Sequence, residues 1–493
     1  MHLGLVLDMA SGGFGERVAV TESGEDTTFA GLTALSWAAS ASIADLGVPS
    51  VMYIGTNHVA YPVALFGAAG AGVPLIPLNY RLGPDQLTAQ IEANPGALLI
   101  YERQRPLAAD PARSVERDAF VASLAGVEVD EPVPADPDLP CVLLYTSGTT
   151  SAPKAAVLRH RHLMAYLLGT VEFGNAEEDE AALVCVPPYH VAGLMNLLSN
   201  LYAGRRIVYL EGFDAETWLA TVRQQRITQA MVIPTMLARI VDVLGGADDA
   251  GTPTLRSLSY GGSRMPTPVL RRALELFGDT GFVNAYGLTE TSSTIALLGP
   301  EDHRAAFTSD DETVRRRLGS VGQVLPGIEV EVRDEAGAVL GTGQPGLVFL
   351  RGEQISGEYA GVTLLDDQGW FPTRDRGFVD QDGYLYIEGR ADDTIIRGGE
   401  NIAPAEIEDV LLHHPEVSDA VVVGVPDEEW GQRLVAVVVT EPGATVDADG
   451  LQELVRQHLR SSKTPDAVEF WPELPRTDTG KLLRRKVVEQ LTG

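Results

Sequence analysis

The residues best suited to chemistry lie in the segment YTSGTTSAPKAA, which begins at Tyr145. Its small hydroxyl and glycine residues follow directly after the apolar run from Cys141 to Leu144. A strand that opens into such residues exposes backbone N–H groups, and several of these can converge on phosphate oxygens. Lys154 adds a positive charge to the same loop. The segment therefore predicts a polyphosphate-binding loop and the use of ATP.

This loop differs from a Walker A motif, which has a second glycine before a lysine that is followed by Ser or Thr. Pro153 stands at the glycine position, and Ala155 follows Lys154. The hydroxyl that would help to hold Mg²⁺ is therefore missing here. We expect the metal ligand elsewhere in the chain.

Further segments with chemically suited residues follow in order along the chain. FGAAGAGVPLIPLNYRL begins at Phe66, NAYGLTET at Asn284, WFPTRD at Trp370, GYLYIEGRADDTIIRGGENIAPAEIE at Gly383 and PRTDTGKLLRRKV at Pro475. Together with the phosphate loop they span nearly the whole chain. In this order they resemble the signatures of the adenylate-forming (ANL) superfamily, and the chain is similar to its acyl-CoA synthetase, or AMP-dependent ligase, branch.

The resemblance implies a nucleotide site assembled from several loops. Asp375 would accept hydrogen bonds from the ribose hydroxyls, and Arg390 would support the ribose and the phosphate. The complete set that it implies for ATP and AMP is Thr146, Ser147, Gly148, Thr149, Thr150, Lys154, Gly262, Ser263, Asn284, Ala285, Tyr286, Gly287, Asp375 and Arg390.

The resemblance also implies four catalytic residues. Lys481 would bridge the acyl carboxylate, the α-phosphate and the ribose, while Thr289 would contact the α-phosphate. Glu290 would bind Mg²⁺, which prefers few protein oxygens plus phosphate and water. His190, in PPYHVAGL, would guard the carboxylate entrance. Attack of a carboxylate on the α-phosphate needs little acid–base chemistry, so catalysis would depend on positioning and charge neutralisation.

A second half-reaction, attack by a thiol on the acyl-adenylate, is implied by the same resemblance. Asp392 falls at the family's hinge, about which the C-terminal domain would turn. Gly398 and Gly399 would then line a narrow channel for pantetheine, since glycine leaves room along the backbone. Trp430 would line that channel or contact CoA. A packed interdomain Trp430 is the alternative.

The acyl pocket predicted by the resemblance consists of His190, Tyr260, Gly261 and Gly262. The apolar run HVAGLMNLL favours a non-amino carboxylic acid, fatty or aryl, because amino-acid-activating relatives usually carry an Asp near this point. Three positions depart from the family pattern, which usually has glycine there: Ser151, Ala155 and Arg374. These departures leave open a weakened adenylation half-reaction.

Length and charge narrow the class of protein further. A chain of 493 residues predicts two or more domains. Its 37 Lys and Arg against 68 Asp and Glu give a net charge of −31, which repels nucleic acid and anionic membranes as main partners. Cys141 and Cys185 lie in apolar runs, so we expect free buried thiols and a cytoplasmic location. Neither a signal peptide nor a transmembrane segment is expected.

The elements that must position these residues alternate between helix and strand from about residue 30 to 285, which favours parallel sheets covered on both faces. Expected strands include 51–54 and 282–284, at whose carboxyl ends ligands would bind. Residues 102–140 read as a surface connection. The sequence GTGQPG at 341–346 is followed by a strand pattern, so it predicts a hairpin turn and no dinucleotide fingerprint.

The predicted fold class is thus α/β. A large N-terminal adenylate-forming domain, residues 1–390, would contain two parallel-rich sheets with helices and a small β-barrel-like subdomain. A small mobile α+β lid would follow at 393–493. The predicted function is ATP-dependent activation of a carboxylic acid to acyl-AMP and its transfer to CoA, with ATP, Mg²⁺ and CoA as cofactors. Two alternative functions stay open: delivery to a carrier-protein thiol, and a weakly catalytic nucleotide-binding homologue. The oligomeric state also stays open, with a homodimer as the candidate.

Overall fold

Two large sheets and the helices around them form most of the chain in the computed structural model. The structure describes residues 1–103, 113–132, 135–146, 154–397, 400–427, 429–477 and 480–492. Six adjacent strands of the larger sheet run parallel, from Gly281–Leu288 across to Val18–Glu22. In spatial order the strands of this sheet are Gln323–Val324, Ser293–Leu298, Gly281–Leu288, Ser257–Gly261, Gln229–Val232, Ala181–Val184, Arg206–Tyr209, Val18–Glu22 and Glu25–Thr28.

The second sheet is parallel at one end and antiparallel at the other. Its antiparallel part is a hairpin of Pro140–Thr146 with Lys154–Arg159, which flanks the predicted phosphate loop. In spatial order its strands are Val362–Thr363, Glu358–Tyr359, Lys154–Arg159, Pro140–Thr146, Leu75–Pro77, Val51–Ile54, Leu98–Tyr101 and Ser114–Glu116.

Apolar helices fill the space beside these sheets. The helix Phe29–Leu46 begins where the Thr28 hydroxyl accepts from the backbone N–H of Gly31, and it ends at Gly47 in the left-handed conformation (φ 59°). A Cβ on Gly67 would lie 2.6 Å from the Cβ of Ala39, so glycine permits close packing of two helices. The helices of this domain are Leu5–Phe14, Phe29–Leu46, Ala60–Gly70, Pro84–Glu92, Arg117–Leu124, His160–Thr170, Val191–Ala203, Ala215–Gln224, Pro234–Leu244, Thr267–Leu276, Pro300–Thr308 and Glu312–Arg315.

A search of the described residues for membrane-spanning helices finds one that is long and apolar enough, Phe29–Leu46. In the fold, 44% of that stretch is buried inside the protein, and it packs against the helix Ala60–Gly70.

A small antiparallel β sheet is formed by four strands between residues 329 and 390. Its strands, in spatial order, are Glu329–Arg333, Gly346–Arg351, Phe371–Val379 and Leu385–Arg390. The strand Gly346–Arg351 begins at the last residue of the 341–346 segment, which confirms the predicted turn and excludes a helix there. This sheet carries the predicted ribose ligands Asp375 and Arg390 on neighbouring strands.

The C-terminal domain is smaller and of α+β type, with hydrophobic clusters of its own. One cluster centres on Ile407, Val422 and Leu451, all fully buried. The helices of this domain are Pro404–Leu412, Ala448–His458 and Arg484–Thr492. Its strands are Ile395–Arg397, Glu400–Ile402, Val417–Asp427, Gly431–Thr440 and Ala467–Phe470.

The predicted α/β class, with a large and a small domain, is confirmed. Both cysteines are free and buried, as expected. The interpretation of residues 102–140 as a surface connection is wrong for part of that stretch. Ser114–Glu116 is an edge strand, and Glu116 then caps the helix Arg117–Leu124 by accepting from the N–H groups of Asp118 and Ala119.

Candidate active site

The centre of the candidate site is the end of the strand Gly281–Leu288, which carries NAYGL. It runs parallel to Ser257–Gly261, with Tyr260 opposite Asn284 and Gly261 opposite Ala285. A Cβ on Gly261 would lie 2.2 Å from the carbonyl oxygen of Ala285, so glycine is required for this close approach. The two predicted loops therefore meet at one edge of the sheet.

Glu290 lies in a single turn of 3₁₀ helix, Thr289–Thr291, that directly follows this strand. The Thr291 hydroxyl accepts from the backbone N–H of Leu288 at 2.9 Å and stabilises the turn. A Cβ on Gly287 would lie 1.8 Å from the carbonyl oxygen of Ser293, because the chain doubles back closely. The sharp reversal presents Glu290 at the carboxyl end of the strand.

The Glu290 carboxylate is held by a residue that the sequence analysis missed, Tyr359. The Tyr359 hydroxyl donates to Oε1 of Glu290 and lies 3.4 Å from Oγ1 of Thr146. Partial burial, and then the charge of Glu290, raise the pKa of Tyr359 to about 12, so the hydroxyl keeps its proton. The sequence carries no motif that marks this tyrosine.

Asp375 is nearly fully buried, at 4% exposure, and both of its carboxylate oxygens have donors. Tyr286 donates its hydroxyl to Oδ2 at 2.5 Å, and Arg390 donates to Oδ1 at 3.0 Å. Arg390 also donates to the carbonyl oxygen of Thr373 at 2.9 Å. Burial first, and then the charge of Asp375, raise the pKa of Tyr286 well above its usual value. A buried carboxylate needs such partners, and here they link the small sheet to the strand end that carries Tyr286.

Arg374, one of the departures from the family pattern, has a left-handed backbone (φ 61°) and an exposed side chain. It lies where the strand pairing with Gly346–Arg351 shifts register between Leu347 and Phe349. Non-glycine residues adopt this conformation at a cost. Arg374 is therefore a surface residue, next in the chain to the buried Asp375.

Lys481 reaches the cleft from the C-terminal domain on a tight hairpin. The N–H of Thr477 donates to the carbonyl oxygen of Lys481 at 2.7 Å, and the N–H of Lys481 donates to Oγ1 of Thr477 at 3.0 Å. The side chain stays solvent-accessible, yet partial desolvation by the cleft, followed by the charge of Arg390, lowers the pKa of its ammonium group. The charges of Asp393, and then of Asp375 and Glu290, oppose this shift in the pKa. Lys481 therefore shares one electrostatic environment with the predicted ribose and metal ligands.

Contacts between described residues hold this hairpin and its domain against the N-terminal domain. A Cβ on Gly480 (φ 75°) would lie 2.5 Å from Oγ1 of Thr235, so the backbone of Gly480 packs closely against the side chain of Thr235. Arg264 forms an ion pair with Asp409 across the same boundary, with side chains that are 44% and 30% exposed.

His190 lies at the N-terminus of the helix Val191–Ala203, with its ring 4.4 Å from that of Tyr189. Burial, and then the charge of Arg81, lower the pKa of His190 to about 4, so its imidazole is neutral at pH 7. In the described part of the protein its buried Nε2 has no hydrogen-bond partner. This atom can therefore bind a polar group of a ligand.

The other residues predicted for the acyl pocket and the nucleotide site differ in their burial and hydrogen bonding. Tyr260 is only 1% exposed, and its hydroxyl lies 2.8 Å from Nε2 of His303, so its side chain belongs to the interior of the domain. Asn284 donates to the carbonyl oxygen of Ser320 at 3.2 Å, and Gly262 and Ser263 are exposed.

Some predicted residues fall outside the described part of the chain. These are Ser147, Gly148, Thr149, Thr150, Gly398 and Gly399. Their flanking residues are described: Thr146 and Lys154 face each other in the hairpin. Trp430 is 47% exposed, with the guanidinium of Arg397 5.4 Å from its ring centre. Asp392 lies in the 3₁₀ turn Ala391–Asp393, at the junction with the C-terminal domain.

The described residues fit Mg²⁺ as a metal ion that would be held by a single carboxylate of the protein. In the described ranges no three His, Cys, Asp or Glu side chains form a cluster able to hold a metal ion. Glu290 would thus be a lone carboxylate ligand, with the remaining positions left to phosphate oxygens and water. Mg²⁺ is commonly bound in that manner, whereas Zn²⁺ in structural sites takes several protein ligands.

Comparison with known proteins identifies the family. The profile of the AMP-binding enzyme family matches residues 7–360, and that of the AMP-binding enzyme C-terminal domain matches residues 406–481. The protein belongs to the AMP-binding enzyme family, which confirms the resemblance found in the sequence.

Curated relatives align over most of their length. A fatty acid–acyl-carrier-protein ligase, ScoC, of Streptomyces coeruleorubidus is 35% identical, with 90% of this chain and 87% of the relative covered. A feruloyl-CoA synthase of an Amycolatopsis species is 34% identical, with coverage of 89% and 88%. A 2-succinylbenzoate–CoA ligase of Bacillus licheniformis is 33% identical, with coverage of 88% and 87%.

Solved structures agree with the fold. The o-succinylbenzoate CoA synthetase of Bacillus subtilis, in complex with its acyl-adenylate, has a TM-score of 0.82 at 26% identity and covers 98% of this chain and 97% of its own. The same enzyme has been solved with ATP and a magnesium ion. ATP-bound MatB from Rhodopseudomonas palustris has a TM-score of 0.86 at 24% identity, covers 99% of both chains and supports the fold alone.

Proposed function

We propose that the protein activates a non-amino carboxylic acid with ATP, forming acyl-AMP and pyrophosphate, and then transfers the acyl group to the thiol of CoA. The observation that carries this proposal is the position of Lys481. This lysine of the C-terminal domain directly follows Gly480, which packs against Thr235 of the N-terminal domain, and its charge interacts with those of Arg390, Asp375 and Glu290. Family membership and the named ligase relatives support the same reaction.

In the first half-reaction a carboxylate oxygen of the acid attacks the α-phosphorus, and the bond to pyrophosphate breaks. No proton needs to be moved by the protein. Lys481 would neutralise charge on the carboxylate and α-phosphate as they approach, and Asp375 would hold the ribose hydroxyls. Mg²⁺, when bound beside Glu290, would neutralise charge on the leaving pyrophosphate.

The neutral imidazole of His190 suits a position beside the substrate carboxylate. Its Nε2 carries no partner in the described residues, and a neutral ring would not trap the carboxylate as a tight ion pair. The helix that begins after it, Val191–Ala203, contains no acidic residue that could bind an α-ammonium group. This composition supports a fatty or aryl acid as the substrate class.

In the second half-reaction the thiolate sulfur attacks the acyl carbonyl carbon, and AMP leaves. We propose that the C-terminal domain, residues 393–493, turns about Asp392 relative to residues 1–390, so that Lys481 leaves the cleft. Gly398 and Gly399 would then line the pantetheine channel. The exposed Trp430, with Arg397 beside its ring, suits contact with the CoA nucleotide.

The acceptor is the point on which named relatives differ. Two of those above are CoA ligases or synthases, and one is a ligase for an acyl carrier protein. We favour CoA because of Trp430 and keep the carrier-protein thiol as the second candidate. A cytoplasmic location fits the two free cysteines. A homodimer remains a prediction, which size-exclusion chromatography with light scattering would check.

The test uses purified protein with ATP, MgCl₂ and a panel of aliphatic, branched and aryl acids. Pyrophosphate exchange dependent on one acid class is expected, and thioester should form when CoA is added. If thioester forms only on a phosphopantetheinylated carrier protein, the acceptor is the carrier protein and not CoA. If no acid supports exchange although ATP binds, the ligase function is wrong and a nucleotide-binding homologue is the better description.

A further inference from the structure

The segment Ser356–Thr363 connects the turn that holds Glu290 to the second large sheet. The backbone N–H groups of Ser356 and Gly357 donate to the carbonyl oxygen of Glu290 at 2.9 and 3.1 Å. Two such bonds fix the backbone of the Glu290 turn from outside its own strand. The segment is therefore joined to the Glu290 turn at its first residues.

The middle of this segment is joined to the strand Lys154–Arg159, which leaves the predicted phosphate loop. The N–H of Ala360 donates to the carbonyl oxygen of Ala155 at 3.2 Å, and Tyr359 pairs with Ala156 in the sheet. Arg159 also donates from Nη2 and Nε to the carboxylate of Glu358 at 2.7 and 3.0 Å. Because Arg159 and Glu358 are largely buried, this bidentate pair anchors the segment firmly.

The Tyr359 hydroxyl lies between the two structures that the segment joins. It donates to Oε1 of Glu290 and is 3.4 Å from Oγ1 of Thr146, the last described residue before the loop. A hydroxyl has one proton, so donation to Glu290 leaves its lone pairs for Thr146. With Oε1 occupied in this way, Oε2 of Glu290 is the oxygen left to face a ligand.

We propose that Tyr359 is a positioning residue: its hydroxyl sets the orientation in which Glu290 binds Mg²⁺, and it links that orientation to the strand that carries the phosphate loop. The inference rests on the proposed function, since Glu290 is the proposed metal ligand there. Tyr359 itself does not contact the reacting atoms. Partners that orient a metal ligand typically contribute ten- to hundredfold to metal affinity.

The experiment compares wild type and Tyr359→Phe in calorimetric titrations with ATP at a series of MgCl₂ concentrations, without any carboxylic acid. The MgCl₂ concentration that gives half-maximal tightening of ATP binding is expected to rise about tenfold or more in the variant. ATP binding in EDTA should be unchanged. Thioester formation from supplied acyl-AMP should also be unchanged, because pyrophosphate is absent from that step.

A matched control is Tyr384→Phe, which removes a hydroxyl that donates to Oδ1 of Asp302 at 2.6 Å on another part of the domain. This variant loses the same kind of bond and should leave the MgCl₂ midpoint unmoved. Its thermal midpoint serves as the reference for any destabilisation seen in Tyr359→Phe. Equal shifts of the MgCl₂ midpoint in both variants would overturn the inference.

A double-mutant cycle with Glu290→Gln tests whether Tyr359 acts through Glu290. The double variant should bind Mg·ATP no more weakly than Glu290→Gln alone. Additive losses, or an unmoved MgCl₂ midpoint in Tyr359→Phe, would show that Tyr359 only packs in the domain. Wild-type protein that binds ATP equally with and without MgCl₂ would instead overturn the proposed function, and the inference with it.

Discussion

The nucleotide loops of the N-terminal domain and the lysine hairpin of the C-terminal domain are held by different kinds of contact. Asp375 is buried with Tyr286 and Arg390 as donors, and Glu290 accepts from Tyr359. All of these partners belong to one domain. The two carboxylates therefore have fixed orientations whatever the position of the other domain.

In the described residues, the lysine hairpin has hydrogen bonds between Thr477 and Lys481, and different contacts join it to the N-terminal domain. Gly480 touches Thr235, and the partly exposed pair of Arg264 and Asp409 lies on the same boundary. Exposed ion pairs contribute little stability. Asp375 and Glu290 are thus held by contacts within the N-terminal domain, whereas the position of Lys481 depends on contacts at the domain boundary. This difference is expected for one cleft that serves two half-reactions in turn.

The largest effect should come from Lys481→Ala, which removes the ammonium group and leaves the contacts of Asp375 and Glu290 intact. We expect pyrophosphate exchange to fall by about 100- to 1,000-fold, as for loss of one donor to a charged transition state. Thioester formation from supplied acyl-AMP should persist, because Lys481 is absent from the cleft in that step. Lys486→Ala, a nearby exposed lysine on the last helix, is the control. Equal loss of both half-reactions would contradict the proposed rotation of the C-terminal domain between them.

A smaller effect is expected from Gly480→Ala, which alters the contact and keeps the lysine. The new Cβ would lie 2.5 Å from Oγ1 and 2.7 Å from Cγ2 of Thr235, only while the hairpin is in the cleft. Pyrophosphate exchange should fall about tenfold, from the clash and the positive φ of 75°. Adding Thr235→Ala removes both contacting atoms and should restore part of the rate. If the second substitution restores nothing, the clash is unimportant and backbone strain alone explains the loss.

The fold and the site differ in how far they could be predicted from sequence. The strand Val51–Ile54 and the presence of a strand at 282–284 follow from short apolar runs, which are local signals. The predicted end at Asn284 is wrong, because the strand Gly281–Leu288 continues four residues further. Tyr359 could not be found in this way, because its partner Glu290 is 69 residues away and no local pattern encodes the pairing. The helix Arg117–Leu124 was missed since it lies within a stretch rich in charged residues and proline.

At Arg374, in the N-terminal domain, the effect of backbone strain on stability can be measured separately from the effect of the charge on ATP binding. Arg374→Gly should raise the free energy of unfolding by about 1 kcal/mol relative to Arg374→Ala, because only glycine adopts φ 61° freely. Both variants lose the guanidinium, so any change in the KM for ATP that they share reports on its charge. The two unfolding free energies are compared in urea. Equal stabilities would mean that the left-handed backbone carries no strain.

The smallest effect should follow from reversing the exposed ion pair at the domain boundary. Arg264→Glu places two acidic side chains opposite each other and should shift the C-terminal domain away from the cleft, lowering pyrophosphate exchange about two- to fivefold. The double variant Arg264→Glu/Asp409→Arg restores opposite charges and should restore the rate. Raising the salt concentration should weaken the effect of the single variant, since exposed charges are screened. A double variant that stays as slow as the single one would mean that this pair does not bias the lysine, and that Gly480 and Thr235 form the boundary that matters.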